Sequence, residues 1–296
     1  MSHVLTLVAG AGPDSLPPSL IERATQALAE AGAAVADPDW LSPARACDLA
    51  FEAAVPAAAS LRDLLAGAAV DFAVQPQAGR RKALLVADMD STIVTSETLD
   101  ELADALGLKA EIAAITARTM AGELDFAQAL RARVARLAGL PSAALDRTLA
   151  RIELSPGARA LVRTMKAHGA YCLLVSGGFS HFTSAIREAC GFDEDRSNHL
   201  VLENGQLTGE VAEPILGREA KLEILHELVE ARRITLDAAC AVGDGANDLA
   251  MLQAAGLGVA YRGKPATRAA ARFCVDHGDL TALLYFQGYR ESEFVT

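Results

Sequence analysis

Leu84-Leu85-Val86-Ala87-Asp88-Met89-Asp90-Ser91-Thr92-Ile93-Val94 decides the fold of this chain. An apolar run with turn residues behind it reads as a strand buried on both faces, as in a parallel sheet. It delivers two carboxylates to its carboxyl end, where open α/β sheets place their ligands. In extended backbone, residues two apart face the same side, so Asp88 and Asp90 converge on one site while Met89 points away. Such a pair suits a division of labour: one carboxylate ionised as nucleophile or metal ligand, the other carrying a proton. Asp is also common where a strand meets a turn, so the pair acquires meaning only from what surrounds it.

Downstream, the pattern stays helical from about 95 to 153, with Gly107, Gly122, Gly139 and Pro141 as punctuation and Ser96 placed to cap the first helix. After Ser155-Pro156-Gly157 an α/β rhythm returns. Helices are expected over 157–168, 179–190, 218–232, 247–255 and 265–271. Strands are expected over 170–175, 238–242, 257–260 and 272–275. Asn204-Gly205, between two apolar runs, signals a hairpin. Strands alternating with helices give a Rossmann-like doubly wound parallel sheet, and the helical stretch is an insertion after its first strand.

Upstream, strands at 3–9, Ala33 to Trp40, Cys47 to Val55 and Val70 to Val74, with helices from Leu20 and from about Ser60 to Ala66, follow a βαββαβ order, the split βαβ plan of a small α+β domain. The polar, Pro- and Gly-bearing stretch from Gln75 to Lys82 reads as a linker. The division is therefore 1–78 and 79–296. Gly10-Ala11-Gly12 lacks the third glycine of a dinucleotide fingerprint, position 15 being serine, so that reading is rejected.

The chain has 296 residues, 51% of them hydrophobic and 22% charged, with a net charge of −11. The size suits two domains at roughly 100 to 200 residues each. An acidic chain without a basic patch carries no footprint for nucleic acid. No apolar run reaches the ~18 residues of a membrane span, and the start lacks a secretory pattern, so the expectation is a cytoplasmic protein. Five cysteines without a Cys-x-x-Cys pair agree with that and are assigned no catalysis.

Three further clusters follow apolar strands or open helices. Ser176-Gly177-Gly178-Phe179 supplies a hydroxyl and close-approach backbone donors ahead of a helix, an arrangement suited to an anion, although Gly-Gly also simply turns a corner. Lys221 sits in the first turn of its helix, where a cation opposes the helix dipole. Gly243-Asp244-Gly245-Ala246-Asn247-Asp248 places carboxylates at the same sheet edge, where few carboxylates plus phosphate suit Mg²⁺.

In this order, the four clusters resemble the motifs of the haloacid dehalogenase superfamily, and within it those of the phosphoserine phosphatases. The resemblance covers about residues 82 to 286. It implies a Mg²⁺-dependent hydrolysis of O-phospho-L-serine to L-serine and phosphate, the last step of L-serine synthesis. In that scheme Asp88 is the nucleophile and Asp90 the acid and base. Asp88, the Asp90 backbone carbonyl and Asp244 hold the metal, with Asp248 in support. Ser176, Gly177, Lys221 and Asn247 meet the phosphoryl group or substrate. The insertion resembles the family's cap; there Arg133 aligns with the residue that holds the substrate carboxylate, Glu97 with the one meeting its ammonium, and Met120 and Phe126 with apolar cap residues. The first domain resembles the ACT amino-acid-binding domain, which implies L-serine as regulatory ligand and a homodimer. Two alternatives stay open at this point: transfer of the phosphoryl group to an alcohol acceptor such as homoserine, and a non-catalytic amino-acid sensor.

Overall fold

The chain is described by a computed structural model covering residues 2–10, 16–52, 61, 64–65, 67–120, 123–217 and 219–296, with backbone only at 117, 119 and 120. The turn at 11–15, the stretch 53–60, most of the helix expected over 60–66, and the Met120 side chain lie outside the described residues.

The amino-terminal unit runs β1 (His3–Ala9), α1 (Pro18–Glu30), β2 (Ala34–Val35), β3 (Asp39–Ser42), β4 (Ala46–Glu52) and β5 (Val70–Pro76). Its antiparallel sheet has the order β2-β4-β1-β5, with β3 also pairing β4. The single strand expected from Ala33 to Trp40 is two short ones. Pro38 lies between them and offers no N–H to a ladder. Alternation along β1 sends Leu5 and Leu7 into the core shared with α1 and Val8 into the core of the second unit.

Then come β6 (Leu84–Asp88), α2 (Thr98–Ala105), α3 (Lys109–Met120), α4 (Phe126–Ala135), α5 (Ala143–Leu149), α6 (Ala158–Ala167), β7 (Tyr171–Phe179), α7 (Ser180–Cys190) and β8 (Glu194–Asn198). The hairpin β9 (Leu200–Glu203) and β10 (Gln206–Val211), α8 (Ala220–Ala231), β11 (Ala239–Gly243), α9 (Leu249–Ala254), β12 (Leu257–Tyr261), α10 (Pro265–Ala270), β13 (Phe273–Val275) and α11 (Ala282–Phe286) complete it. The parallel sheet reads β13-β12-β11-β6-β7-β8. Strand order therefore reverses at β6, and ligands in doubly wound sheets bind at such a switch point. Every residue of β6, β11 and β12 is buried, which explains why these strands are continuous apolar runs.

α2 begins at Thr98 with Glu97 as its cap residue, not Ser96. β8 was not expected. It is an edge strand of sequence Glu-Asp-Arg-Ser-Asn, and its side chains satisfy one another and their neighbours: Arg196 pairs with Glu194 and Glu227, and Asp195 accepts from Thr183. Asn204 and Gly205 have φ of 50° and 78°, the left-handed pair of a tight hairpin turn. The hairpin does not extend the sheet but braces the cap: Gly139 N–H donates to Leu207 O, Leu207 N–H to Leu140 O, and Ser142 N–H to Gly205 O, at 2.8 to 2.9 Å.

The two units share a polar seam. Arg80 lies almost buried, with Nη1 2.6 Å from Asp48 Oδ2 and Nη2 2.9 Å from Thr6 Oγ1, and also donates to the carbonyls of Tyr285 and Phe286. The Asp71 carboxylate accepts backbone N–H groups from Asp276, His277 and Gly278. The face of the first sheet opposite α1 is thus covered by the carboxyl-terminal part of the same chain. Among the described residues, no helix is long and apolar enough to cross a membrane. Burial pushes the thiols of Cys47 and Cys240 up to about 12 and that of Cys190 up to about 11.

Candidate active site

Register brings the chemistry together. Asp88 pairs with Val175 and Ala87 with Val242, so Ser176 and Gly243 each fall one residue past a paired position at the same edge. Asp88 ends its strand, and its Oδ1 accepts the N–H of Met89 at 2.9 Å. The strand ends at Asp88, while Asp90 keeps an extended conformation, φ −66° and ψ 135°. Residues Met89–Ile93 form a tight kinked turn in which Ser91 has φ 55°, a left-handed conformation that a serine adopts at a cost. Asp90 thus reaches the cleft from just past the end of the ladder, inside this turn.

There its carboxylate is held at both oxygens: Thr98 N–H donates to Oδ1 at 2.8 Å and Ser176 Oγ to Oδ2 at 3.0 Å. Gly178 N–H in turn donates to Ser176 Oγ at 2.8 Å. Burial pushes the Asp90 carboxyl above the ordinary carboxylate range, with the Thr98 N–H opposing and nearby Glu97 adding to the rise. A carboxyl that keeps its proton to higher pH while fixed in direction suits proton transfer.

Lys221 is 2% exposed at its side chain, and its Nζ lies 2.6 Å from both Asp88 Oδ1 and Asp248 Oδ1. Its place in the first turn of α8, unfavourable for the dipole, is offset by these two carboxylates. Gly243 makes the loop possible: a Cβ there would lie 2.4 Å from Asp248 Cγ. Asp248 also accepts the Gly245 N–H at 2.9 Å. Burial and the charge of Asp248 push Asp88 well above its ordinary range, against the pull of Lys221.

Carboxylate oxygens of Asp88, Asp244 and Asp248 lie within 4.8 Å of one another, all buried. Three buried carboxylates, those of Asp88, Asp244 and Asp248, with the half-buried Asp90 beside them, stand against two lysines, Lys221 and Lys264. The surplus of negative charge and the all-oxygen donor set fit a hard divalent cation.

Asp88, Asp90, Asp244 and Lys264 line a cleft of about 250 Å³ whose far wall is the cap. Phe126, Leu130 and Arg133 come from α4, and Glu97 from the start of α2. Asp88, Asp90, Asp244, Ser176, Gly177 and Asn247 line the floor, whereas Lys221 lies behind Asp88 and is not among the lining residues. Arg133 donates to Ala129 O at 3.3 Å, and among the described residues no ion pair claims its guanidinium. Its part-buried charge, pulled down by burial and held up by Asp100 and Glu97, is available to an anion. Glu97 accepts from Ser91 Oγ at 2.9 Å. Sequence reasoning missed Thr98, which positions Asp90, and Lys264, which lies 3.1 Å from Asp244 Oδ2. The available signal for Lys264 was its place just past an apolar strand, at the sheet edge that holds the other clusters.

The haloacid dehalogenase-like hydrolase family matches residues 85–253. The phosphoserine phosphatase of Streptomyces coelicolor is 43% identical over 226 residues, which are 76% of this chain and 55% of that protein. The chain thus spans about half the length of that curated relative. A haloacid dehalogenase family hydrolase from Salmonella enterica serovar Typhi superposes with a TM-score of 0.83 at 29% identity, covering 99% of this chain and 100% of the other. A structure described as a phospho-aspartyl intermediate analogue of phosphoserine phosphatase gives a TM-score of 0.64 at 38% identity, covering 70% and 99% respectively.

Proposed function

The chain belongs to the haloacid dehalogenase-like hydrolase family, and we propose that it is a Mg²⁺-dependent phosphoserine phosphatase. The reaction is hydrolysis of O-phospho-L-serine to L-serine and phosphate, completing L-serine synthesis. The observation that carries the reading is the pairing in one cleft of a lysine-bound carboxylate, Asp88, with a second carboxyl, Asp90, whose proton is held by burial and whose direction is fixed by Thr98 and Ser176.

In the first step Asp88 attacks phosphorus and the bond from phosphorus to the serine oxygen breaks, while Asp90 gives that oxygen its proton. In the second, water attacks the aspartyl-phosphate, Asp90 takes the water's proton, and the bond from phosphorus to Asp88 breaks. A halide leaving group needs no such proton and a serine alkoxide does, so Asp90 favours phosphate-ester chemistry. Ser176, the Gly177 N–H and Asn247 meet the phosphoryl oxygens or the substrate, and Lys221 holds the charge and direction of Asp88. Asp88, Asp244 and the Asp90 carbonyl, supported by Asp248, are the residues to hold Mg²⁺. The ion supplies charge neutralisation of the phosphoryl group. On the cap side, Arg133 is the clamp for the substrate carboxylate and Glu97 for its ammonium, which together select an amino acid; Phe126 helps exclude water.

The amino-terminal unit, residues 1–78, is read in the same proposal as an ACT-like domain, supported by its split βαβ strand order, with L-serine as regulatory ligand and a homodimer as assembly. Acidic composition and the buried thiols of Cys47, Cys172, Cys190 and Cys240 support a cytoplasmic setting.

Phosphate release from L-phosphoserine, beside a panel of sugar and nucleotide monophosphates and with and without Mg²⁺, tests the assignment. Selective, Mg²⁺-dependent turnover that collapses in Arg133→Ala is the expected result. Equal hydrolysis of the whole panel, unchanged in that variant, overturns the serine assignment. Adding homoserine and analysing products separates hydrolysis from transfer.

A further inference from the structure

Lys264 has a side chain 61% exposed, yet its ammonium lies 3.1 Å from Oδ2 of the buried Asp244 and 3.6 Å from Oε1 of Glu97. A surface lysine ordinarily keeps its rotamer freedom in water, and holding one in place costs entropy. The loop is built to make this reach. Arg262 has φ 45°, and its N–H donates to Val275 O at 2.8 Å. A Cβ at Gly263 would lie 3.1 Å from Ala260 Cβ and 3.5 Å from Asp244 O. Pro265 then restricts Lys264 to the extended conformation it has, φ −58° and ψ 152°. The Lys264 N–H donates to Asp244 O at 2.9 Å, so main chain and side chain hold the same residue.

We propose that Lys264 is a positioning residue that acts through Asp244: its ammonium is the resident counter-cation of that carboxylate, anchored on its other side by Glu97, and competes there with a divalent cation. Lys264 joins two parts of the site that no backbone element connects, the loop after β11 and the entry to the cap. Two cations cannot share one carboxylate oxygen without mutual repulsion, so the lysine lowers metal affinity and keeps Asp244 neutralised before metal loading. Charge, and not bulk, is the property that matters. The main-chain bond from residue 264 to Asp244 survives any substitution but proline, so a side-chain change tests the ammonium without unmaking the loop.

The inference rests on the reading of Asp88, Asp244 and Asp248 as a divalent-cation site, and calorimetric titration of the full chain with Mg²⁺ separates the two. Lys264→Met is expected to bind Mg²⁺ roughly three- to tenfold more tightly than wild type, the size of a partly screened charge removed from the edge of a cation site. Lys264→Arg, which keeps the charge, is expected to restore wild-type affinity. Unchanged or weaker binding by Lys264→Met overturns the role of Lys264 and leaves the site standing. A wild-type chain that binds no Mg²⁺ overturns the site itself.

Discussion

Lys221 Nζ lies 2.6 Å from Asp88 Oδ1, and both side chains are more than nine-tenths buried. A buried charge is retained only where it is paired, and here the pair also fixes which oxygen of Asp88 faces away from the cleft. Lys221→Met leaves Asp88 and Asp248 as adjacent buried carboxylates with no cation between them. The expected cost is about 3–5 kcal/mol of stability and a fall in kcat of ~10²-fold or more. Urea denaturation and steady-state kinetics measure the two. A variant that keeps both near wild type would show that Lys221 neither neutralises nor orients Asp88.

In the proposed reaction Asp90 serves both halves, as acid and then as base. Asp90→Asn keeps the size and the N–H contact from Thr98 but has no proton to give, so phosphoserine turnover should fall by ~10²–10⁴-fold. With p-nitrophenyl phosphate, whose leaving group needs no proton, the variant should still form one equivalent of aspartyl-phosphate, seen as a nitrophenolate burst without steady turnover. The pH dependence has a definite sign. Burial raises the Asp90 pKa, whereas the Ser176 hydroxyl favours its ionised form. Ser176→Ala should therefore raise it further and move the alkaline limb of kcat/KM to higher pH, alongside a lower maximum. A limb that moves the other way would assign it to a different group.

Arg80 is the linker residue on which the two units meet. Its bidentate contact with Asp48 is nine-tenths buried on both sides, and it also caps the carbonyls at the end of α11. Arg80→Met strands Asp48 and is expected to destabilise the chain by about 3 kcal/mol, with Arg80→Lys recovering less than half because it cannot reproduce the fork. The readout is the denaturant midpoint. Equal stability of all three chains would reduce the seam to a surface contact.

Legibility in the sequence followed burial. β6, β7, β11 and β12 were readable because strands covered on both faces must be apolar throughout, and the glycine loops behind them could be placed at one edge. β8 was not, because an edge strand can be built from Glu194, Asp195 and Arg196 when each finds a polar partner. α11 was missed because Ala282-Leu283-Leu284-Tyr285-Phe286 is buried on all sides and shows no helical stripe. At the site, Asp88 and Asp244 announced themselves by position. The hold on Asp90 depended on the Thr98 N–H eight residues on, for which threonine carries no signal, and Lys264 depended on a partner twenty residues earlier in the loop after another strand. Residues that act through long-range partners look, in sequence, like any other surface charge.

The hairpin packs against the end of the helix that carries Arg133, the proposed clamp for the substrate carboxylate. Gly209 has φ 87°, and a Cβ there would lie 2.9 Å from Ala138 Cβ and 3.4 Å from Ala135 Cα, at the end of the helix that carries Arg133. Gly209→Ala combines a strained backbone with a clash, and the easiest relief is to push β10 and α4 apart. The expected result is a several-fold rise in KM for phosphoserine with a smaller change in kcat, since the β6, β7 and β11 edge is untouched. Arg133→Lys should act in the same direction and more strongly, because a point charge replaces a planar fork made for carboxylate. O-phosphoethanolamine, which has the ammonium but no carboxylate, discriminates: neither variant should alter its KM. A matching rise for both substrates would mean that the cap, and not the carboxylate clamp, had been disturbed.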